Sequence, residues 1–371
     1  MIYLDNAATT NKKPPSVYRA VKRAVKELSA NPGRSSHKLA VRASEALYLA
    51  RESASGLFSA EPEGTVFTYN ATMALNIAIK TLIPARCRVM ISDSEHNSVV
   101  RPLFALGERG VCITRFPTSG LNEAILSSLL TPDTRAIVST LASNVTGEAI
   151  DEGLLSRFAK KHGLILILDA SQAAGHRKID LKRTPADALC IPSHKALFGI
   201  MGAGGVIFSG RERGASFLEG GSGADSASPY MPTSLPEGYE AGTVALPAIT
   251  ALGAGCDFVK RQTEEKIESY LKTLTDRLAE RIAAVKGAKL YGCGSGIVSF
   301  SLGNAASTAV AELLDRHGIA VRGGLHCAPE VHRRLGTEEC GLVRASLSFF
   351  NTPGETDRFY RALKAVKEEL F

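Results

Sequence analysis

"LILILDASQAAG", residues 164–175, runs five apolar residues straight into an aspartate and then into a turn of small and polar residues. A run that is apolar at every position is how a strand reads when both of its faces are covered, the condition inside a sheet with helices on either side. Six other short runs repeat the pattern: "GTVFTY" (64–69), "CRVMIS" (87–92), "VCITRFP" (111–117), "RAIVST" (135–140), "ALCIP" (188–192) and "GGVIFSG" (204–210). They alternate with helical segments, so the fold class is α/β, with a mostly parallel sheet in a large domain expected over residues 15–255. The Gly/Ser/Pro-rich stretch 219–238 reads as a long loop within it, because periodic segments resume beyond.

Past that domain, Ile267, Leu271, Leu274, Leu278, Ile282 and Val285 recur every three or four residues and spell a long amphipathic helix. "KLYGCGSGIVSFSLG", "STAVAELLDRHGI", "GLVRASLSFF" and "GETDRFYRALKAVKEELF" then read strand, helix, strand, helix. Residues 256–371, with 1–14, are expected to form a smaller α/β domain. A chain of 371 residues is long enough to bury two cores.

Composition narrows the function classes. No run approaches the roughly 18 apolar residues of a membrane span, and the start "MIYLDNAATT" has no basic segment leading into an apolar one, so no membrane association and a cytoplasmic location are expected. The seven cysteines are widely scattered, without CxxC pairs or Cys/His clusters, which argues against a disulfide framework and a metal site. The net charge of +7 is spread along helices such as "VKRQTEEKIESYLKTLTDRLAERI", and aromatics are only 6% with no Trp. That pattern does not favour nucleic acid and suits small anionic ligands better.

The residues with chemistry cluster where an open α/β sheet binds ligands, at the carboxyl ends of its strands. Asp169 ends a buried strand, a place that also suits a helix cap. Lys195, in "CIPSHKALFGIMGAGG", is set among apolar residues and glycines, and a desolvated lysine is what Schiff-base chemistry with a carbonyl requires. Pyridoxal 5'-phosphate needs both, a lysine for its aldehyde and a buried carboxylate for its ring nitrogen. "TVFTYNATMALNIAIKTL" offers a phosphate cradle, a strand and short turn before a helix whose first turn holds Ala71 and Thr72. His96 of "SEHNSV" follows the next strand, where an imidazole can stack on a ring or move protons. Far along the chain, "RGGLHCAPEVH" (322–332) sets Cys327 in a glycine-rich loop beside Arg322 and His326, and nearby cations favour the thiolate.

With these pieces in order, the chain resembles the pyridoxal-phosphate-dependent cysteine desulfurases of the class V aminotransferase family. "YLDNAATT", "NPGRSSH", "NAT", "EHNS", "SNVTG", "DASQ", "HK", "EAGT", "RGGLHCAP" and "RAS" occur in the family's sequence order. The R-x-G-x-x-C-A setting of Cys327 is similar to the subgroup that includes selenocysteine lyases. The resemblance implies a fold-type I transferase in which Lys195 carries the cofactor, Asp169 pairs with its ring nitrogen, His96 stacks on the ring, and Gln172 and Asn144 hold its hydroxyl. It implies a phosphate site of Ala71, Thr72, Ser193 and His194, completed by Thr243 from the second subunit of a homodimer. Arg344, with Arg322 and Asn144, would bind the substrate. Cys327 would take sulfur from L-cysteine as a persulfide, leaving L-alanine, and pass it to an acceptor protein. Selenocysteine lyase, cysteine sulfinate desulfinase or another β-elimination on the same fold is the alternative. Departures from the family pattern stand at Pro192, where Ser or Thr is usual, at Ala71, and at Ile200. A nicotinamide-dependent oxidoreductase fits poorly, since "GIMGAGG" precedes a strand instead of a helix. Intact Lys195, Asp169 and Cys327 argue against a non-catalytic scaffold.

Overall fold

The computed structural model describes every residue except 34, 211–215 and 225, so Arg34 of "NPGRSSH" and Asp225 of the 219–238 loop lie outside the described residues. The chain opens with β1 (Ile2–Tyr3) and two helices, α1 (Pro15–Glu27) and α2 (Lys38–Leu57). Then come β2 (Thr65–Thr68), α3 (Ala71–Leu82), β3 (Arg88–Ser92), α4 (Asn97–Ala105), β4 (Cys112–Phe116), α5 (Glu123–Leu129), β5 (Thr134–Thr140), α6 (Glu152–His162), β6 (Ile165–Asp169), β7 (Ala188–Pro192) and β8 (Gly204–Phe208). The seven runs read from the sequence are the strands of one sheet, in the order β2-β8-β7-β6-β5-β3-β4. β8 alone runs against the other six.

The sheet's burial explains its unbroken apolarity. Leu166 and Leu168 of β6 face one apolar cluster while Ile167 faces another, and Leu189 and Ile191 are divided in the same way from Ala188 and Cys190 on β7. Helices α3 and α4 cover one face through Leu75, Ile79, Val99 and Leu103. The other face is covered by α6 and by α7 (Leu246–Gln262), through Leu155, Phe158, Ile249 and Leu252. Successive side chains of a strand point to opposite faces, so every position here needs an apolar residue. Gly204 is an exception forced by proximity: a Cβ there would lie 2.7 Å from the backbone of Asn70 and 2.8 Å from that of Ile191.

Thr263, with φ +63°, breaks α7 from α8 (Glu264–Ala283), the amphipathic helix expected from the leucine spacing. Beyond it lie β9 (Ala288–Gly294), β10 (Ile297–Leu302), α9 (Ser307–Arg316), β11 (Ile319–Ala320), β12 (Arg322–Gly324), α10 (Pro329–Leu335), β13 (Leu342–Ser346) and α11 (Pro353–Leu370). "KLYGCGSGIVSFSLG", read as one strand, is a hairpin: Ser295 and Gly296, both at positive φ, turn β9 back onto β10. The sheet order is β12-β13-β10-β9, all antiparallel, and β1 pairs in parallel with β11. The next residues cross from this sheet to the larger one. Asn6 Nδ2 donates to Ser346 O at 2.9 Å, Ala7 N to Ser346 Oγ at 2.9 Å, and Gln172 Nε2 to Ala7 O at 3.0 Å. Where the two sheets meet, Gly147 and Gly294 touch so closely that a Cβ on Gly147 would lie 1.9 Å from the Gly294 carbonyl oxygen. Among the described residues no helix is long and apolar enough to cross a membrane.

Candidate active site

The six codirectional strands of the large sheet bring their carboxyl ends to one edge. The loops after β2, β3, β5, β6 and β7 meet there and, with Ala7, Ala8 and residues of β12 and β13, enclose a cavity of about 220 Å³. Ala71, Thr72, His96, Asn144, Asp169, Gln172, His194, Lys195, Arg322 and Arg344 all line it.

One end suits an anion. α3 starts at Asn70, whose side chain accepts from Met73 N at 3.0 Å, and the first-turn N–H groups of Ala71 and Thr72 have no partner within the helix. Thr72 Oγ1 lies 2.8 Å from Ser98 Oγ, which lies 2.9 Å from His96 Nδ1. His194 contributes a buried Nδ1 with no hydrogen-bond partner. Burial, with the charges of Lys195 and Lys13, pushes its imidazole down to about 4, so it is neutral near pH 7. Its carbonyl is fixed by the N-terminal segment, accepting from Thr10 N at 2.9 Å and Thr9 Oγ1 at 3.1 Å. Ser193 corrects the sequence reading. Its Oγ is buried, has no partner, and occupies space 2.0 Å from where a Cβ on Gly199 would stand, while Pro192 lines the cavity in its place. Thr243 lies on a separate concavity with Tyr69, Gly202 and Glu240, so a single chain does not bring it to this site.

The centre holds Lys195, Asp169 and His96. Asp169 accepts from Ser171 N at 2.8 Å. Burial drives the Lys195 amine down to about 8, against the pull of Asp169 and with the push of Arg344 and Arg322. Desolvated amines of this kind are free often enough at neutral pH to add to a carbonyl or accept a proton. His96 caps α4, its Nδ1 accepting from Ser98 N at 3.0 Å, which leaves the proton of the neutral ring on Nε2. Burial takes this imidazole down to about 4 even though Asp169 pulls it up. Behind them Glu95, fully buried, is raised to about 8 by burial and stays uncharged at neutral pH.

The opposite wall is cationic. Arg322 and Arg344 are direct cross-strand partners on β12 and β13, an arrangement of like charges that is unfavourable without an anion. Arg344, 1% exposed, donates to Asn144 O at 2.9 Å and to Asp5 Oδ1 at 3.0 Å, and its Nε has no partner. A planar guanidinium held with donors to spare is fitted to a carboxylate.

Cys327 stands exposed at the margin of this wall, its Sγ 3.9 Å from Arg322 Nη2. His326 and Cys327 both adopt left-handed φ, +52° and +59°, which costs about 1–2 kcal/mol per non-glycine residue. The loop is tied down by its neighbours: Asn97 N donates to Cys327 O at 2.9 Å and Asn144 Nδ2 to His326 O at 2.7 Å. On α10 beyond it, Glu330 accepts from Nε and Nη2 of Arg115 through its two carboxylate oxygens, and Arg334 reaches Asp93 at 3.4 Å. His326 differs from the sequence reading. Its Nε2 donates to Leu342 O at 3.0 Å, and burial, reinforced by Arg344, pushes the ring down to about 3. It is no cation for the thiol; Arg322 alone of the two supplies that charge.

Sequence reasoning passed over Asp5, Ala7 and Ala8, which complete the site, although "YLDNAATT" carries an acid and small residues whose pattern no strand or helix explains. Glu95 was visible only as the neighbour of His96.

Comparison with known proteins agrees with this geometry. The family model described as aminotransferase class-V matches residues 2–359. A probable cysteine desulfurase of Methanothermobacter thermautotrophicus is 32% identical, the alignment covering 98% of this chain and 94% of that protein. A second, from Xylella fastidiosa, is also 32% identical over 100% of this chain and 92% of its own length. Among solved structures, the cysteine desulfurase CsdA of Escherichia coli superposes with a TM-score of 0.88 at 25% identity, covering 99% of this chain and 94% of that one. The cysteine desulfurase of Thermococcus onnurineus gives 0.87 at 26% identity, over 99% and 95% of the two chains. The match spans both sheets and every element that lines the cavity, and the chain belongs to the class-V aminotransferase family.

Proposed function

We propose that this protein is a pyridoxal-phosphate-dependent cysteine desulfurase that converts L-cysteine to L-alanine and keeps the sulfur as a persulfide on Cys327. The observation that carries the proposal is the arrangement of one cavity: Lys195 and Asp169 at its centre, Arg344 with a free Nε donor on its wall, and an exposed thiol beside Arg322 at its margin. The thiol favours sulfur transfer over a plain elimination, in keeping with the relatives named cysteine desulfurase.

The donor set fits the cofactor. The α3 N-terminus, Thr72 and the unpartnered His194 Nδ1 suit its phosphate, Asp169 its ring nitrogen, Lys195 its aldehyde, the neutral His96 its ring face, and Asn144 and Gln172 its hydroxyl. When bound, pyridoxal phosphate supplies an electron sink that makes bonds at the α- and β-carbons of an amino acid labile. Arg344, with Arg322, orients the substrate carboxylate. Lys195, poised near 8, takes and returns the α-proton. In the net transfer the β-carbon–sulfur bond of cysteine breaks and a sulfur–sulfur bond to Cys327 forms. The carbon is reduced to the methyl group of alanine and the sulfur is oxidised to the sulfane level, so no outside oxidant or reductant is needed.

The same reading assigns the chain two units. The division is the one at residue 255, where α7 continues without a break as far as Gln262, and the grouping of residues 1–14 with the smaller unit is supported by the pairing of β1 with β11, although Thr9 and Thr10 also bond the His194 carbonyl of the larger one. Thr243, exposed and remote within one chain, is assigned to the phosphate site of the other subunit of a homodimer. An acceptor protein for the sulfur and a cytoplasmic location complete the proposal.

Mass spectrometry tests it. After brief exposure of the protein to L-cysteine, one added sulfur is expected on the peptide containing Cys327, with alanine formed in equal amount; alanine without that sulfur, or sulfide and pyruvate instead, would refute it. Cofactor loading gives a pH test. A lysine of pKa about 8 is roughly a tenth free amine at pH 7 and nine-tenths at pH 9, so the uptake rate by cofactor-free protein should rise about tenfold across that range and then level. A flat profile would contradict the depressed amine.

A further inference from the structure

We infer that Asn144 is a positioning residue for the nucleophile, tying the carboxylate-binding Arg344 to the loop that holds the Cys327 thiol. Two hydrogen bonds meet on this residue. Its backbone oxygen accepts from Arg344 Nη1 at 2.9 Å, and its side-chain Nδ2 donates to the carbonyl oxygen of His326 at 2.7 Å. Arg344, Asn144 and His326 are all buried, so both bonds are shielded from competing water.

The loop needs such a hold. His326 and Cys327 are consecutive non-glycine residues in the left-handed region, a conformation that persists only when the surroundings impose it. Within the loop only the Ala328 N–H to Leu325 O contact, 3.0 Å, closes the turn. Both carbonyls of the left-handed pair are instead captured from the large unit: that of Cys327 by the backbone N–H of Asn97, and that of His326 by Asn144. Asn144 is the side chain that fixes either one among the described residues. It is a rigid donor, since Ser143 N donates to Glu148 O and Gly147 N to Ser143 O, both at 2.9 Å.

Removing the amide leaves the His326 oxygen buried without a partner and lets the pair relax toward ordinary backbone angles, which draws the sulfur away from Arg322. This role is separate from any contact to the cofactor hydroxyl. Its consequence for turnover rests on the desulfurase reading, whereas its consequence for the loop does not.

The test compares wild type with Asn144→Asp, which keeps the size but cannot donate, and with Asn144→Ala, which adds no charge and decides the matter if the first variant fails to fold. Hydrogen exchange is read on the peptide 322–332, in protein with and without pyridoxal phosphate. Exchange at Ala328 should quicken about tenfold in the variants in both states, the signature of a loosened loop. With L-cysteine, kcat for alanine should fall about a hundredfold while the concentration giving half the spectral change moves only about threefold, the pattern of lost alignment instead of lost binding. Unchanged loop exchange in both variants overturns the inference, as does a loss confined to substrate or cofactor affinity. Should wild type make no alanine at all, the desulfurase reading fails, and the exchange measurement still decides this one.

Discussion

Replacing Lys195 by alanine is expected to abolish L-cysteine turnover, by at least about 10⁴-fold, and to remove the visible absorbance that a lysine-linked pyridoxal phosphate gives. Two separate jobs are lost together. In the proposed reaction the amine would be the covalent anchor for the cofactor aldehyde, and its position on the cavity wall beside Asp169, with a pKa near 8, would also make it the proton carrier for the α-carbon. The neighbouring imidazoles offer no replacement: His96 and His194 are pushed down to about 4, too weakly basic to take over at neutral pH. The variant should still fold, because Lys195 is stabilised less than an ordinary surface lysine. Its folded pKa is lowered from 10.5 to about 8, so between those values the unfolded chain binds more protons and wild-type stability rises with pH. In cofactor-free protein the melting temperature of wild type should therefore gain on that of the variant as pH climbs from 8 to 10. A Lys195→Ala protein that kept the wild-type spectrum and a borohydride-reducible lysine linkage would place the cofactor elsewhere.

How much of this was legible beforehand differs from element to element. The inner strands of the large sheet were readable because they are buried on both faces, a condition that leaves its mark on every residue from Leu166 to Leu168 and from Ala188 to Ile191, whereas the edge strand β4 exposes Cys112 and Arg115. Lys195 and Asp169 were readable too, since a buried lysine and a strand-ending acid are both unusual in apolar company. The β9–β10 hairpin was not, because its Ser295–Gly296 turn pair sits among further glycines, Gly292 and Gly294, that blur where the strands on either side begin and end. Long-range pairings were hidden altogether. Asp5 meets Arg344 across 339 positions of the chain, and the proton on His326 is decided by a carbonyl on β13 that no local pattern reveals. Ser193 shows the opposite failure: a hydroxyl near the lysine satisfies a motif, yet the turn after β7 aims it at Gly199 and away from the cavity.

The two arginines on the cavity wall connect these observations to substrate choice. Arg322 and Arg344 face one another across β12 and β13, and among the described residues the single acid bonded to either is Asp5 on Arg344. A bound carboxylate relieves that repulsion, while Arg322 remains within 3.9 Å of the Cys327 sulfur. In the proposed reaction the cation that receives the substrate would thus also be the one beside the nucleophile, which would bring the departing sulfur and the attacking thiolate into the field of the same charge.

Substituting serine for Cys327 separates sulfur transfer from every other reaction this cavity can support. The hydroxyl is hardly ionised near neutral pH and is a poor acceptor of sulfur, so alanine production from L-cysteine should drop by about 10³-fold or more. Cofactor binding should survive, because Cys327 lies at the margin and does not line the cavity that holds Lys195, Asp169 and the α3 N-terminus. The spectral change on adding L-cysteine should survive as well, since Arg344 and Asn144 are untouched. Selenocysteine is the informative second substrate: selenium leaves carbon more readily than sulfur, so the variant should retain a substantial share of wild-type activity with it, and the ratio of the two activities should shift strongly toward selenium. None of the other six cysteines lines the cavity, and Cys87, Cys190 and Cys256 are buried with thiols raised by that burial. If the variant instead makes alanine at a rate near wild type, with the added sulfur on another cysteine or on none, then the left-handed loop and its arginine have some other purpose, and a β-elimination that needs no thiol becomes the reading that the cavity supports.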